Sequence, residues 1–254
     1  MADYVMFQMW SDYRQYLIDS HMFYFDQANS RLLSQFQNID DEAKAEADKW
    51  LEDNQHRFDP ERHDPSDFYE KALDLGCSFY EMLSDMEERT RLSVLAGMFH
   101  EWDKQLRVWL SKEVNHWHRG ENTKLQIWKK DFPKVMDLLE SFGWDIKSTD
   151  FHQKLDACRL IVNVYKHGNG GSFNDLKQNY PQYLESGINT LNPFTGVNHD
   201  YRDYSYLKIT DADIQEMSDA IIEFWQNVPE NVFQSQFTSP PQWFFDAIQR
   251  DNSN

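Results

Sequence analysis

The most informative segment of the chain is Arg159-Leu-Ile-Val-Asn-Val-Tyr-Lys-His167, followed directly by Gly168-Asn169-Gly170-Gly171. An α-helix advances ~100° per residue, so the apolar positions from 151 to 165 cover most of its circumference. One stripe of that helix is formed by Phe151, Leu155, Cys158, Val162 and Tyr165, and most of the rest by Leu160, Ile161 and Val164. Five polar residues share a wedge roughly 100° wide. This polar wedge consists of Asp156, Arg159, Asn163, Lys166 and His167.

Three members of the polar wedge lie four residues apart and therefore stack on successive helical turns: Arg159, Asn163 and His167. A guanidinium, an amide and an imidazole in line on an apolar helix are typical of a functional site. An unpaired buried polar group lowers the stability of the fold by ~1–3 kcal/mol. Such residues therefore also serve a structural role, in which they form hydrogen bonds with loop carbonyls or with a partner helix. The spacing alone leaves both roles open. The glycines that follow predict a helix stop rather than a phosphate loop, because a helix C-terminus repels anions.

Composition limits the classes of function. The chain has 254 residues and a net charge of −18, which disfavours broad nucleic-acid binding. Any RNA would have to be bound locally, or a basic partner would dock on the acidic surface. The two cysteines, Cys77 and Cys158, lie in apolar periodic stretches and are predicted to be buried free thiols, as in a reducing compartment. We expect no signal peptide, no membrane span and a cytoplasmic location.

The pattern along the chain predicts an all-α fold: one domain over 1–254, built as an antiparallel helical bundle. Its expected parts are N-terminal helices in 4–56, a core bundle in 66–167, a long irregular loop at 168–209 and C-terminal helices in 210–250. A short helix is expected within that loop. Within the core bundle the periodicity predicts separate helices at 66–86, 90–117 and 123–142, with Gly143 ending the last. Ser148 or Thr149 is expected to cap the next helix, and Thr210 with Asp213 resembles a capping box.

Two further groups of residues are candidates for chemistry. His116 and His118 lie ~200° apart on a helix and would not share an ion, so we expect neither a metal nor a cofactor. Lys104 and Arg107 lie one turn apart and could provide local positive charge for a substrate. The alternative is that both pair with acidic neighbours at the surface. Those neighbours are Glu101, Asp103 and Glu113.

The helical bundle with a late helix that bears Arg159, Asn163 and His167 resembles the HEPN superfamily over roughly residues 66–167. Many HEPN proteins are metal-independent endoribonucleases and toxins of toxin–antitoxin, phage-defence or CRISPR-associated systems. The family motif is an arginine with a histidine four to six positions later, and two motifs face one cleft in a homodimer. Seven residues separate Arg159 from His167 here. Asn163 lies four positions after Arg159, where the family motif can place its histidine.

The resemblance implies that RNA is the substrate and that an antitoxin or regulatory protein is a possible partner. Arg159, Asn163 and His167 would be catalytic, and Lys166, Lys104 and Arg107 would bind substrate. Two alternatives stay open. The chain could be a catalytically inactive HEPN-like module that binds a partner protein or nucleotide, or a structural bundle in which the wedge holds the 168–209 loop.

Overall fold

The computed structural model of the protein describes residues 3–186, 189–191 and 198–253. Helices dominate this part of the chain, which confirms the predicted all-α class. The helices are α1 (Ser11–Arg31), α2 (Ile39–Asn54), α3 (Pro65–Trp117), α4 (Glu121–Lys129), α5 (Phe132–Ser141), α6 (Asp150–His167), α7 (Gly171–Asn179), α8 (Asp211–Asn227) and α9 (Gln242–Asn252). Short strands are β1 (Val5–Gln8), β2 (Asn189–Leu191), β3 (Asn198–Asp200) and β4 (Asn231–Phe233). Among the described helices, none combines the length and the apolar character needed to cross a membrane.

The chain divides into two compact units, Met1–Phe25 with Leu95–Asn254, and Asp26–Val94. We call them the large unit and the small unit. The boundary falls inside α1 and inside α3. That the whole chain 1–254 forms one domain, whose two units unfold together, stays a prediction.

The core of the large unit is aromatic. Trp102 and Phe224 are buried with their ring centroids 5.0 Å apart, and Trp225 stacks edge-on against Phe224 at the same distance. Helix α6 packs against α7 and α8 beside this cluster. Strands β1 and β4 pair antiparallel, and Phe7 of β1 is buried with its ring centroid 4.0 Å from that of Phe142. The aromatic content of the sequence therefore builds the core that holds α6.

Three predicted helix boundaries were wrong. The segments 66–86 and 90–117 form the single helix α3, because the residues between them are good helix formers with no proline. The segment 123–142 is divided into α4 and α5, because Pro133 has no N–H to donate and is tolerated only in the first turn of a helix. The first helix begins at Ser11 rather than near residue 4, since Val5–Gln8 pair with β4.

The 168–209 segment contains the short helix that was expected there, α7, and it also holds the antiparallel pair of β2 and β3. Phe173 and Leu176 of α7 are buried, so its apolar face packs on the large unit. Residues 187–188 and 192–197, which belong to the predicted loop, lie outside the described residues.

The two cysteines differ in environment. Cys158 is buried, as predicted, and burial raises the pKa of its thiol. Cys77 is exposed, so the prediction of a buried thiol was wrong at this position. The reason is that the small unit leaves the side of α3 that bears Cys77 open to solvent.

Candidate functional site

Both ends of α6 are fixed by local signals that the sequence contains. Thr149 caps the N-terminus, where its Oγ1 accepts a hydrogen bond from the backbone N–H of His152 at 3.3 Å. At the other end the backbone N–H of Gly168 donates to the carbonyl of Val164 at 2.8 Å, and the φ of Gly168 is +69°. Residues with a Cβ disfavour that φ, so a glycine ends the helix directly after His167.

Between Leu155 and Val164 every accessible side chain of α6 belongs to the polar wedge, and the other side chains of that stretch are buried. Eight apolar side chains of α6 are buried, and the predicted apolar stripe fails only at Tyr165, which is 39% exposed. Within the wedge the first three members are half-buried and the last two are exposed. In chain order they are Asp156, Arg159, Asn163, Lys166 and His167. The wedge therefore opens to solvent toward the C-terminal end of α6.

Arg159 is held by a carboxylate on its own helix. Its Nε and Nη2 lie 2.9 and 2.8 Å from Oδ1 of Asp156. The second oxygen of Asp156 accepts a hydrogen bond from the hydroxyl of Tyr180 at 3.2 Å. Burial raises the pKa of Tyr180 to about 12, and the Asp156 carboxylate adds to that rise, so the phenol stays protonated and donates. A phosphate that approaches Arg159 thus meets a guanidinium that is already paired.

An exposed aromatic ring lies beside the other end of the wedge. The backbone N–H of Tyr204 donates to Oδ1 of Asn169 at 2.9 Å, which ties this segment to the turn after α6. A Cβ at Gly168 would lie 3.5 Å from the ring of Tyr204, and Tyr204 is 53% exposed. Gly168 follows His167 directly, so the tyrosine ring lies against the residue next to the last member of the polar wedge.

Sequence reasoning placed Tyr180 in the short helix expected within 168–209 and assigned neither Tyr180 nor Tyr204 to the site, because both approach α6 from segments far along the chain. The signal that was available is the tyrosine content of 168–209. A long segment with exposed aromatic residues beside a polar helix end could have pointed to them.

Lys104 makes the surface pair that was the alternative to substrate binding, whereas Arg107 pairs with an acidic neighbour but is buried. The Nζ of Lys104 lies 2.9 Å from Oε2 of Glu101, and both side chains are exposed. Arg107 is only 6% exposed, and its Nε lies 2.7 Å from Oδ2 of Asp103. Its Nη1 donates to the carbonyl of Ile127 at 2.5 Å and to that of Lys130 at 2.8 Å.

The buried guanidinium of Arg107 therefore satisfies carbonyls at the end of α4, which helix geometry leaves without partners. This corrects its assignment as a substrate-binding residue, because the N–H groups that would meet a phosphate are already engaged inside the protein. The side chain of Lys104 stays accessible.

The histidines near the end of α3 have separate partners. The Nε2 of His118 lies 3.1 Å from Oδ2 of Asp251, whereas the Nδ1 of His116 lies 3.6 Å from Oε2 of Glu113. In the part of the chain that the structure describes, no group of three or more His, Cys, Asp or Glu side chains is arranged to hold a metal ion.

Comparison with protein-family models, with curated proteins and with solved structures returned no match for this chain.

Proposed function

We propose that the protein is a HEPN-like, metal-independent endoribonuclease of the toxin–antitoxin or phage-defence type, acting in the cytoplasm. The observation that carries the proposal is the polar wedge. An accessible stripe of α6, beside eight buried apolar side chains of the same helix, bears Arg159, Asn163 and His167 on successive turns. The exposed ring of Tyr204 adds support, since the bases of single-stranded RNA stack on aromatic side chains.

In the proposed reaction the RNA supplies its own nucleophile. The imidazole of His167 takes the proton of a 2′-hydroxyl while that oxygen attacks the adjacent phosphorus, and the bond from phosphorus to the 5′-oxygen breaks. The 5′-oxygen leaves with a proton, which gives a 2′,3′-cyclic phosphate and a 5′-hydroxyl. Arg159 stabilises the charge on the non-bridging oxygens, Asn163 orients the phosphate or the imidazole, and Lys166 adds positive charge at the edge.

The proposed homodimer follows from the need for both a base and an acid. The polar wedge contributes one imidazole per chain, at His167. Two wedges that face one cleft would supply a second imidazole to protonate the leaving oxygen. An antitoxin or regulatory protein would then act by covering this cleft or separating the two chains.

The direct test is cleavage of a fluorescent oligoribonucleotide by the purified protein. We expect cleavage with 2′,3′-cyclic phosphate ends, and no cleavage of the same oligonucleotide when it carries 2′-deoxy sugars. His167→Ala should lower the rate ~10²–10⁴-fold, the usual contribution of a general acid or base. Its melting temperature should not change, because the His167 side chain is exposed. Expression in a bacterial host should arrest growth, and His167→Ala should relieve the arrest.

The matched control is His56→Ala, which removes an exposed histidine in the small unit and should leave cleavage intact. Intact RNA after incubation with the wild type would contradict the proposal. So would a His167→Ala variant that cleaves at the wild-type rate.

The pair between Arg159 and Asp156 favours a second candidate, a catalytically inactive HEPN-like module that binds a partner protein or a nucleotide. In that case the wild type binds without cleaving, and Arg159→Ala weakens binding. If the wedge only holds the 168–209 segment, Arg159→Ala should instead lower the free energy of unfolding by ~1–3 kcal/mol, because it breaks a partly buried network. Binding, cleavage and melting measured on the same variants separate the three roles.

A further inference from the structure

The small unit has an open apolar groove between α2 and the first part of α3, with a volume of about 610 Å³. Its floor consists of small residues. A Cβ at Gly76 would lie 3.1 Å from both the carbonyl oxygen of Ala43 and the Cβ of Ala47, so the two helices approach closely there. Close approach of two helix backbones leaves larger side chains standing on either side.

The wall of the groove on α3 is a stripe of exposed apolar side chains. Tyr69 is 65% exposed, Leu73 is 64% exposed and Tyr80 is 40% exposed. Together with Gly76 they are spaced by three and four residues, so they lie on one face of α3. Contiguous exposed apolar side chains of this kind mark interaction sites, and a groove between helices fits the apolar face of a third helix.

The charge of the small unit indicates which kind of helix would bind in the groove. Residues 26–94 contain 18 acidic and 8 basic residues, so they carry more than half of the net charge of −18. The residues that line the groove include Asp40, Asp48 and Glu81, against Lys44 as their basic member. A second copy of the chain would bring the same negative charge to the interface, and like charges oppose association. A partner with lysine and arginine beside its apolar face would be attracted instead.

We propose that this groove is the docking site for a basic amphipathic helix of a partner protein. The inference is independent of the ribonuclease proposal, because every residue of the groove lies in the small unit and none belongs to the polar wedge.

The test uses a cysteine of the chain as the reporter. Cys77 is exposed and lines the groove, whereas Cys158 is buried, so a thiol reagent applied to the folded protein reacts at Cys77. The probe is a synthetic helical peptide with leucines on one face and lysines on its flanks. At saturation it should slow labelling of Cys77 at least tenfold, and its affinity should fall as salt is raised. A scrambled peptide of equal composition should have no such effect.

Two variants of α3 with the same charge change localise the binding. Leu73→Glu places a carboxylate in the groove and should weaken peptide binding at least tenfold. Met86→Glu changes a residue of the same helix that is 57% exposed and lies outside the groove, and it should bind as the wild type does. Circular dichroism checks that both variants keep their helices.

Three results would overturn the inference. The scrambled peptide could protect Cys77 equally well, or the amphipathic peptide could leave labelling unchanged. Alternatively, Cys77 could become protected without peptide as protein concentration rises, with a dimer mass by light scattering that Leu73→Glu abolishes. This last result would identify a second copy of the chain as the occupant.

Discussion

At the scale of single residues, His21 is a titratable group that the fold keeps out of water. It lies on α1 and is buried, with its Nε2 2.8 Å from Oγ of Ser218 on α8. Burial lowers the pKa of His21 to about 4, because the imidazolium loses hydration, although a hydrogen bond to the Ser218 backbone and the Asp219 carboxylate oppose this shift. The histidine is therefore neutral in the folded protein at neutral pH.

This predicts that the large unit loses stability in mild acid. As pH falls below about 6.5 the unfolded chain protonates His21 while the folded chain does not until about 4. The stabilising contribution is thus complete above the unfolded pKa and is lost as pH falls toward 4. Its full size is about 3 kcal/mol, since each pKa unit corresponds to ~1.4 kcal/mol. Urea unfolding followed by tryptophan fluorescence between pH 4 and 7 measures it.

A comparison of two histidine variants separates the contribution of His21 to the pH dependence from that of the many carboxylates. His21→Gln should flatten the pH dependence of the free energy of unfolding, whereas His56→Gln, at an exposed position, should not. A His21→Gln variant with the same slope as the wild type would show that His21 does not contribute.

At the scale of elements, the N-terminus of α4 is capped by a side chain from α9. Gly120 stands at the cap position and offers no side chain, so the carboxylate of Asp251 takes that role. A Cβ at Gly120 would lie 1.9 Å from Oδ2 of Asp251, which explains why a glycine is needed there. The carboxylate accepts from the backbone N–H groups of Asn122 and Thr123 at 2.8 and 2.9 Å. The Thr123 hydroxyl and His118 Nε2 donate at 2.7 and 3.1 Å.

We predict that Asp251→Ala lowers the free energy of unfolding by about 2–4 kcal/mol. Several partly buried donors would lose their acceptor, and each such loss amounts to ~1–3 kcal/mol without being additive. Burial alone would raise the pKa of Asp251, but the hydrogen bonds from Thr123 and Asn122 keep it well below its usual range. Denaturant unfolding checks the prediction, with Asp246→Ala as the control, since that carboxylate accepts from Gln242 within α9 itself. Equal stability of the two variants would refute the capping role.

Elements that depend on local signals were predictable, and those that depend on distant partners were not. The 3.6-residue period and the cap at Thr149 predicted α6, and Thr210 with Asp213 forms the expected capping box. The polar wedge follows from the same period. No local pattern indicates that Asp251 meets α4 from 128 positions away, or that Tyr180 meets Asp156. The burial of the Arg107 side chain could not be predicted either, because it depends on carbonyls of another helix to which the guanidinium donates.

At the scale of the whole molecule, the buried apolar side chains are divided unequally between the units. Within residues 26–94 the buried apolar side chains are Ala28, Leu33, Ala43, Ala72 and Val94. The large unit holds the tryptophans and phenylalanines of the core. Because stability scales with the apolar area removed from water, the small unit contributes little of the hydrophobic free energy. Its many carboxylates add mutual repulsion.

This distribution predicts that the small unit unfolds at a lower denaturant concentration than the large unit. Trp50 is the one tryptophan in residues 26–94, so the difference between wild type and Trp50→Phe reports on the small unit. We expect the fluorescence of Trp50 to change at a lower denaturant concentration than that at which the helices of the large unit unfold. The amides of α2 should also exchange with deuterium orders of magnitude faster than those of α6, whose flanks are buried. Coincident transitions and uniform protection would instead show one cooperative domain, as the sequence pattern predicts. In that case the small unit would gain its stability from the rest of the chain rather than from its own core.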